Sequence, residues 1–329
     1  MEYDMPLYRP PSEARSLIFQ VTIGCSWNKC LFCAMYKGKR FKVRPWQEVE
    51  KDIIEMSLLQ PHTRKVFLAD GDVLAADTAF IIKVLDLINE KFPNLERISS
   101  YAGPTNLMEK SADELREFHK RKLDILYLGI ESGNADVLKK ICKGATGPQI
   151  IDGCKKAIDA GMRMSTIILL GLGGVKGSYD HAKDSAKAVN AINPHFLACL
   201  TLMLGPYAEV YEKKLMGGDF KLIDKKQTLV ELRWFVEDLE LTNCRFGTEH
   251  ASNYLPLNGD LPGDKQRILK LIDKALGDEK SRLLRPEGRR PTWPSWQPPR
   301  HPVRRRVGRS FCKARSECED GLTAPGIIV

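Results

Sequence analysis

Three of the nine cysteines fall within nine residues, in the run Cys25-Ser26-Trp27-Asn28-Lys29-Cys30-Leu31-Phe32-Cys33. Thiolates gathered in one short loop can share a metal site, and soft sulfur selects zinc or iron–sulfur clusters. A structural zinc site takes four ligands, so three thiols leave either a partner elsewhere in the chain or a position meant to stay open. The odd count of cysteines argues against a disulfide framework. Of the others, Cys142, Cys154, Cys199 and Cys244 read as small buried hydrophobes, while Cys312 and Cys318 are an isolated pair near the end.

Further groups able to do chemistry recur downstream. Asp70-Gly71-Asp72 offers two carboxylates around a glycine that lets a ligand approach the backbone; Glu131 follows the apolar run Tyr127 to Ile130; Gly171 precedes Leu172-Gly173-Gly174. Taken singly, each is more readily a turn or a helix start than a site.

Short β-rich runs alternating with amphipathic helices must place these groups. Strands are predicted at Ser16 to Ile23, Lys65 to Ala69, Arg97 to Tyr101, Ile125 to Ile130, Arg163 to Leu170 and Phe196 to Met203. Helical spacing appears in Trp46, Val49, Ile53 and Met56, and again in Ile81, Val84, Leu85 and Ile88. Ser111 with Glu114 reads as a capping box, and Gly161 as the end of a helix leading into the fifth strand. Six βα units imply an α/β protein with parallel strands, arranged as a partial (β/α)6 TIM-like barrel. Chemistry in such folds sits at the C-terminal ends of the strands, which is where the cysteine loop and the acidic turns fall.

In that order and placement the residues resemble the radical S-adenosylmethionine (radical SAM) superfamily, over about residues 16 to 205. The three-cysteine loop after the first strand, with Phe32 before the last cysteine, is similar to its cluster-binding motif. Here four residues rather than three separate Cys25 from Cys30. The resemblance implies that Cys25, Cys30 and Cys33 bind three irons of a 4Fe-4S cluster, leaving the fourth to S-adenosylmethionine. It further implies that Asp70, Gly71 and Asp72 receive the methionine ammonium, that Glu131 accepts the ribose hydroxyls, and that the strand end at Gly171 passes close to the adenine. Reductive cleavage would then give a 5'-deoxyadenosyl radical that takes hydrogen from a substrate the sequence does not identify. The electron would come from a donor such as a flavodoxin or ferredoxin.

Two other readings stay open. The thiols could join His62 or Cys142 on a zinc ion in a binding module, or the cluster could be that of a simple electron carrier. Neither needs Asp72 and Glu131 at strand ends.

Composition adds limits. The net charge of +9 divides into +6 from residue 284 onward and +3 before it, so a basic patch for nucleic acid would rest on the tail alone. No run approaches the length of a membrane span and the first residues lack the apolar stretch of a signal peptide, which points to the cytoplasm. Residues 286–310 hold seven Arg and six Pro without an apolar period, so the expected divisions are a barrel core at 1–205, a helical closing segment at 206–283 and a disordered tail at 284–329. Residues 37–44 carry five cations and read as a solvated loop. Residues 247–264 read as an irregular closing stretch before a helix at Lys265 to Leu276, with His250 a hydrogen-bonded loop residue rather than a catalyst. No second cysteine cluster or corrinoid-sized domain follows, which argues against methylthiolation and corrinoid-dependent methyl transfer.

Overall fold

A computed structural model describes residues 1–204, 209, 211–215, 218–278 and 281–285. In chain order the elements are β1 (Leu17–Gln20), β2 (Thr22–Ile23), β3 (Lys42–Val43), α1 (Trp46–Leu59), β4 (Lys65–Ala69), α2 (Thr78–Lys91), β5 (Arg97–Tyr101), α3 (Pro104–Glu109) and α4 (Ala112–Lys120). There follow β6 (Leu123–Glu131), α5 (Ala135–Lys140), α6 (Gly147–Asp159), β7 (Arg163–Leu170), α7 (Gly174–Ile192), β8 (Phe196–Thr201), α8 (Lys225–Glu237), β9 (Cys244–Gly247), β10 (Asn258–Leu261) and α9 (Lys265–Gly277).

All six expected strands form, and they lie side by side in one sheet of order β1-β4-β5-β6-β7-β8-β9-β10. Pairing is parallel from β1 through β9, and β10 runs antiparallel to β9. Two expectations change. The stretch expected to be irregular contains β10, so with β9 it extends the sheet to eight strands rather than capping six. The first expected strand divides after Gln20: Val21 N–H still donates to Ala69 O at 2.7 Å, while Thr22 and Ile23 pair with β3 as a short antiparallel ribbon. That change of partner opens the chain into the cysteine loop.

The strand residues alternate between two apolar layers, as the pleat requires. In β4, Val66 and Leu68 join the large core under the helices, and Phe67 and Ala69 join an inner cluster with Ile18, Ile125 and Tyr127. Ile81, Val84, Leu85 and Ile88 of α2 are fully buried, each worth about 2 kcal/mol of apolar transfer. The Ser111–Glu114 capping box is present with both reciprocal hydrogen bonds, and Gly161, at φ 95°, turns the chain after α6 into β7. The N-terminal segment lies along β1: Tyr3 hydroxyl donates to Ile18 O at 2.9 Å, and Asp4 and Gln20 exchange two hydrogen bonds. The Arg- and Pro-rich stretch from residue 286 lies outside the described residues.

Candidate active site

The cysteine loop is tied down at both ends and in its middle. Gly24 N–H donates to Asp70 Oδ2 at 2.9 Å, and Gly24 O accepts from Gly71 N–H at 3.0 Å. Ser26 hydroxyl donates to Asp72 Oδ2 at 2.6 Å, Trp27 Nε1–H to Cys142 O at 2.7 Å, and Leu31 N–H to Ile141 O at 2.9 Å. Asn28 takes a left-handed φ of 41° and its amide donates to Tyr36 O at 2.8 Å. The four-residue spacing is therefore absorbed by one left-handed residue between two anchored ones.

Cys25, Cys30 and Cys33 are free and half-buried. Burial raises all three thiol pKa values, that of Cys33 to about 12; the Asp72 charge adds to this at Cys25, Glu131 and Cys25 at Cys30, and Cys30 and Cys25 at Cys33. Thiolates in such surroundings need a bound cation, which deprotonates a coordinating thiol outright. Among the described residues no three His, Cys, Asp or Glu converge as the ligands of one metal ion. A cubane does not ask for that convergence, since each thiolate takes a different corner.

Of the two zinc partners considered, His62 precedes the N-terminal end of β4, whereas the cysteine loop follows the C-terminal end of the parallel β1. Cys142 is beside the loop; it is exposed, not the buried hydrophobe its sequence suggested, whereas Cys154, Cys199 and Cys244 are buried.

The second strand end divides its two carboxylates between two tasks. Asp72 is buried and saturated: Oδ2 accepts from Ser26 and from the Asn106 amide, and Oδ1 from Gly103 N–H at 3.2 Å. Asp70 is fully buried with Oδ2 bonded to Gly24 N–H and to Lys39 Nζ at 3.0 Å, while Oδ1 has no partner. Burial raises the pKa of both carboxyls, opposed for Asp70 mainly by Lys39 and for Asp72 by Ser26. Gly71 leaves room for the Tyr36 ring, from which a Cβ there would sit 2.6 Å away.

At the end of β6 a register shift between Gly129 and Glu131 breaks the ladder with β7, and Glu131 adopts φ 67°, a left-handed conformation that costs a non-glycine residue energy. Its Oε1 accepts from Lys143 Nζ at 3.0 Å and its Oε2, though buried, has no partner. A Cβ on Gly129 would meet Oε1 at 1.8 Å, so that glycine makes room for the carboxylate. Burial lowers the Lys143 pKa, and the charges of Glu131 and Cys30 more than reverse this. Gly171, at φ 94°, ends β7 and donates its N–H to Glu231 Oε1 at 2.8 Å. Phe32 is 2% exposed and packs in the main core, with Cys30 and Cys33 against the same cluster.

Five buried side-chain atoms among the described residues lack a hydrogen-bond partner, and three belong to this region: Tyr36 hydroxyl, Asp70 Oδ1 and Glu131 Oε2. Native buried polar atoms rarely go unpaired, so such a group is suited to a ligand that supplies donors. An ammonium and ribose hydroxyls are donors of that kind, so the residues present fit S-adenosylmethionine beside a cluster.

Sequence reasoning missed Tyr36, Lys39, Asn106 and Lys143. The cationic stretch 37–44 is not simply solvated: Lys39 is buried on Asp70, and Arg44 bonds Asp52 at 2.8 Å and Gln20 O at 2.8 Å. His250 does sit in a hydrogen-bonded loop, Nδ1 2.8 Å from Ser252 Oγ, with its pKa lowered by burial.

The chain is similar to several known proteins. The 4'-phospho-dehydrooxetanocin synthase of Priestia megaterium is 23% identical over 243 residues, 65% of this chain and 30% of that protein, so the chain spans about a third of that relative's length. Coproporphyrinogen III oxidase (HemN) from Escherichia coli, a radical SAM enzyme, shares the fold with a TM-score of 0.50 at 18% identity, over 68% of this chain and 51% of that one. Methylornithine synthase (PylB) matches with a TM-score of 0.47 at 14% identity, over 69% of this chain and 63% of that one. The Radical SAM superfamily profile matches residues 19–185, just over half of the chain, which take in Cys25, Cys30, Phe32, Cys33, Asp70 to Asp72, Glu131, Lys143 and Gly171; Glu231, which accepts the Gly171 N–H, lies beyond them on α8. The chain belongs to the radical SAM superfamily, whose members use a 4Fe-4S cluster and S-adenosylmethionine.

Proposed function

We propose that this chain is a radical SAM enzyme in which Cys25, Cys30 and Cys33 hold the cluster. Asp70 and Glu131 bind the cofactor's ammonium and ribose, and Gly171 leaves room for the adenine. The observation that carries this reading is the pair of buried, unpartnered carboxylate oxygens, Asp70 Oδ1 and Glu131 Oε2, on strand ends beside the three-thiol loop.

When bound, the cluster and S-adenosylmethionine supply a one-electron reductive cleavage to methionine and a 5'-deoxyadenosyl radical that takes a hydrogen atom from substrate. The chain's own residues bind and orient. Asp72 holds the loop through Ser26, leaving Asp70 as the free acceptor, and Lys143 fixes the Glu131 carboxylate so that one oxygen remains for a hydroxyl. Phe32 anchors the loop to the core and keeps water from its buried side. The electron comes from a small donor such as a flavodoxin or ferredoxin, in a reducing compartment, the cytoplasm. No helix among the described residues is long and apolar enough to cross a membrane. The division proposed is a core at 1–205 and a following segment at 206–283 that contributes α8, β9, β10 and α9.

Anaerobic purification with iron and sulfide analysis, then reduction with S-adenosylmethionine present, tests the reading. It expects iron, sulfide and 5'-deoxyadenosine, the last abolished by Cys30→Ala. Zinc without iron would instead support a zinc-braced binding module, and a reducible cluster that yields no 5'-deoxyadenosine an electron carrier.

A further inference from the structure

One face of α7 carries Ser178, His181 and Ser185, spaced so that all three point inward, and all are buried. His181 is fully buried between two strand ends. Its Nε2 lies 3.4 Å from the carbonyl oxygen of Glu131, and its Nδ1 lies 3.1 Å from Oε1 of Glu231, itself fully buried on α8. That same Glu231 oxygen accepts the N–H of Gly171, while Oε2 accepts the Ser178 hydroxyl. The continuous path is therefore Glu131 O, His181 ring, Glu231 carboxylate, Gly171 N–H.

Both backbone sites that it joins depart from the regular strand conformation. Glu131 and Gly171 both have left-handed φ values, 67° and 94°, and both stand where a regular strand ends. The rest of the Glu131 turn is fastened to the same helix: Gly133 N–H donates to Ser185 Oγ at 2.9 Å, and the Asn134 amide to Asp184 Oδ2 at 2.8 Å. Gly133 packs so tightly on α7 that a Cβ would stand 2.1 Å from Asp184 O. A buried ionisable pair is costly unless every oxygen is bonded, and here each Glu231 oxygen is.

We propose that His181 and Glu231 are positioning residues that set the ribose-binding and adenine-facing strand ends relative to one another, so that cofactor affinity depends on a pair that does not touch the cofactor. The inference rests on the reading that this chain binds S-adenosylmethionine.

The experiment uses the full chain, with His181→Ala, His181→Gln and Glu231→Gln. Hydrogen–deuterium exchange without cofactor is expected to quicken together at residues 131–134 and 171–174 in His181→Ala, leaving β4 and β5 unchanged. In the reconstituted protein, calorimetry is expected to show S-adenosylmethionine affinity down about tenfold at unaltered iron content, the scale on which losing an outer-shell partner acts. His181→Gln, whose amide can still donate to Glu131 O, is expected to recover part of that affinity and covers the case in which the alanine variant does not fold. Uniform quickening across the sheet, or wild-type affinity in a folded, iron-loaded variant, would overturn the proposal. Absence of binding by the wild-type protein would instead overturn the reading it rests on, and the exchange data would still report whether the two strand ends are coupled.

Discussion

Lys143 Nζ and Glu131 Oε1 form an ion pair at 3.0 Å in which each side chain is only 8% exposed. Removing one member of a buried pair strands the other charge, at a cost of about 3–5 kcal/mol. Lys143→Met is therefore expected to destabilise the fold on that scale, and Glu131→Gln likewise. The double substitution should cost clearly less than the sum, because neither charge is then left alone. Urea denaturation of the four proteins measures this; strict additivity would show that the pair is not coupled.

Gly71 and Tyr36 form a second coupled pair, this one steric. A Cβ at position 71 would stand 2.6 Å from the Tyr36 ring and 3.2 Å from Cys25 Cβ, so the new methyl must displace either the ring or Cys25, the first of the three thiols proposed to hold the cluster. Gly71→Ala is expected to lower the iron bound per chain on reconstitution. Tyr36→Ala in the same chain makes room for the methyl and should restore part of the iron. If the double variant loads no better than Gly71→Ala alone, the glycine is required for some other reason.

The three thiols and the six parallel strands could be read from the sequence because their signals are local: ligand chemistry lies in residue type and spacing, and a β-run declares itself over a few residues. What was hidden depends on partners distant in the chain. Lys39 and Lys143 look like any solvated lysine until Asp70 and Glu131 are brought against them. Asp72 was legible as an acceptor but not as one already filled by Ser26, Gly103 and Asn106. The strand character of Cys244–Gly247 and Asn258–Leu261 comes from pairing with a sheet already formed, since neither run has the apolar length to announce it.

The capping box of α4 supplies a pH-dependent test. Hydrogen bonds from the Thr78 hydroxyl and then from Ser111 N–H hold the Glu114 carboxyl at a pKa of about 2, against an ordinary 4.5. A depressed acid contributes stability that is complete above its unfolded pKa and is lost as pH falls toward the folded one. The stability difference between wild type and Glu114→Gln should therefore be largest above about pH 4.5 and shrink between there and about pH 2. Ser111→Ala should cost about 1 kcal/mol at neutral pH. Denaturant midpoints measured across that range check both, and a gap that does not change with pH would remove the carboxylate from the account.

Trp27 ties the cysteine loop to the turn after α5. Its indole N–H reaches Cys142 O, and its ring covers Gly144, where a Cβ would stand 2.3 Å from the indole. Gly144 also has φ 81°, so the turn that carries Lys143 is shaped to receive the ring. Trp27 thus fastens the cysteine loop to the segment that bonds Glu131, and loosening it should expose the proposed cluster before it disturbs the sheet. Trp27→Ala is expected to load iron normally under anaerobic conditions and to bleach several-fold faster in air, with little change in thermal stability. Trp27→Phe keeps an aromatic ring against Gly144 but loses the hydrogen bond and part of the ring area, so it should fall between the two. The decay of cluster absorbance on exposure to oxygen measures the effect, and a Trp27→Ala protein that bleaches at the wild-type rate would show that the loop is held without it.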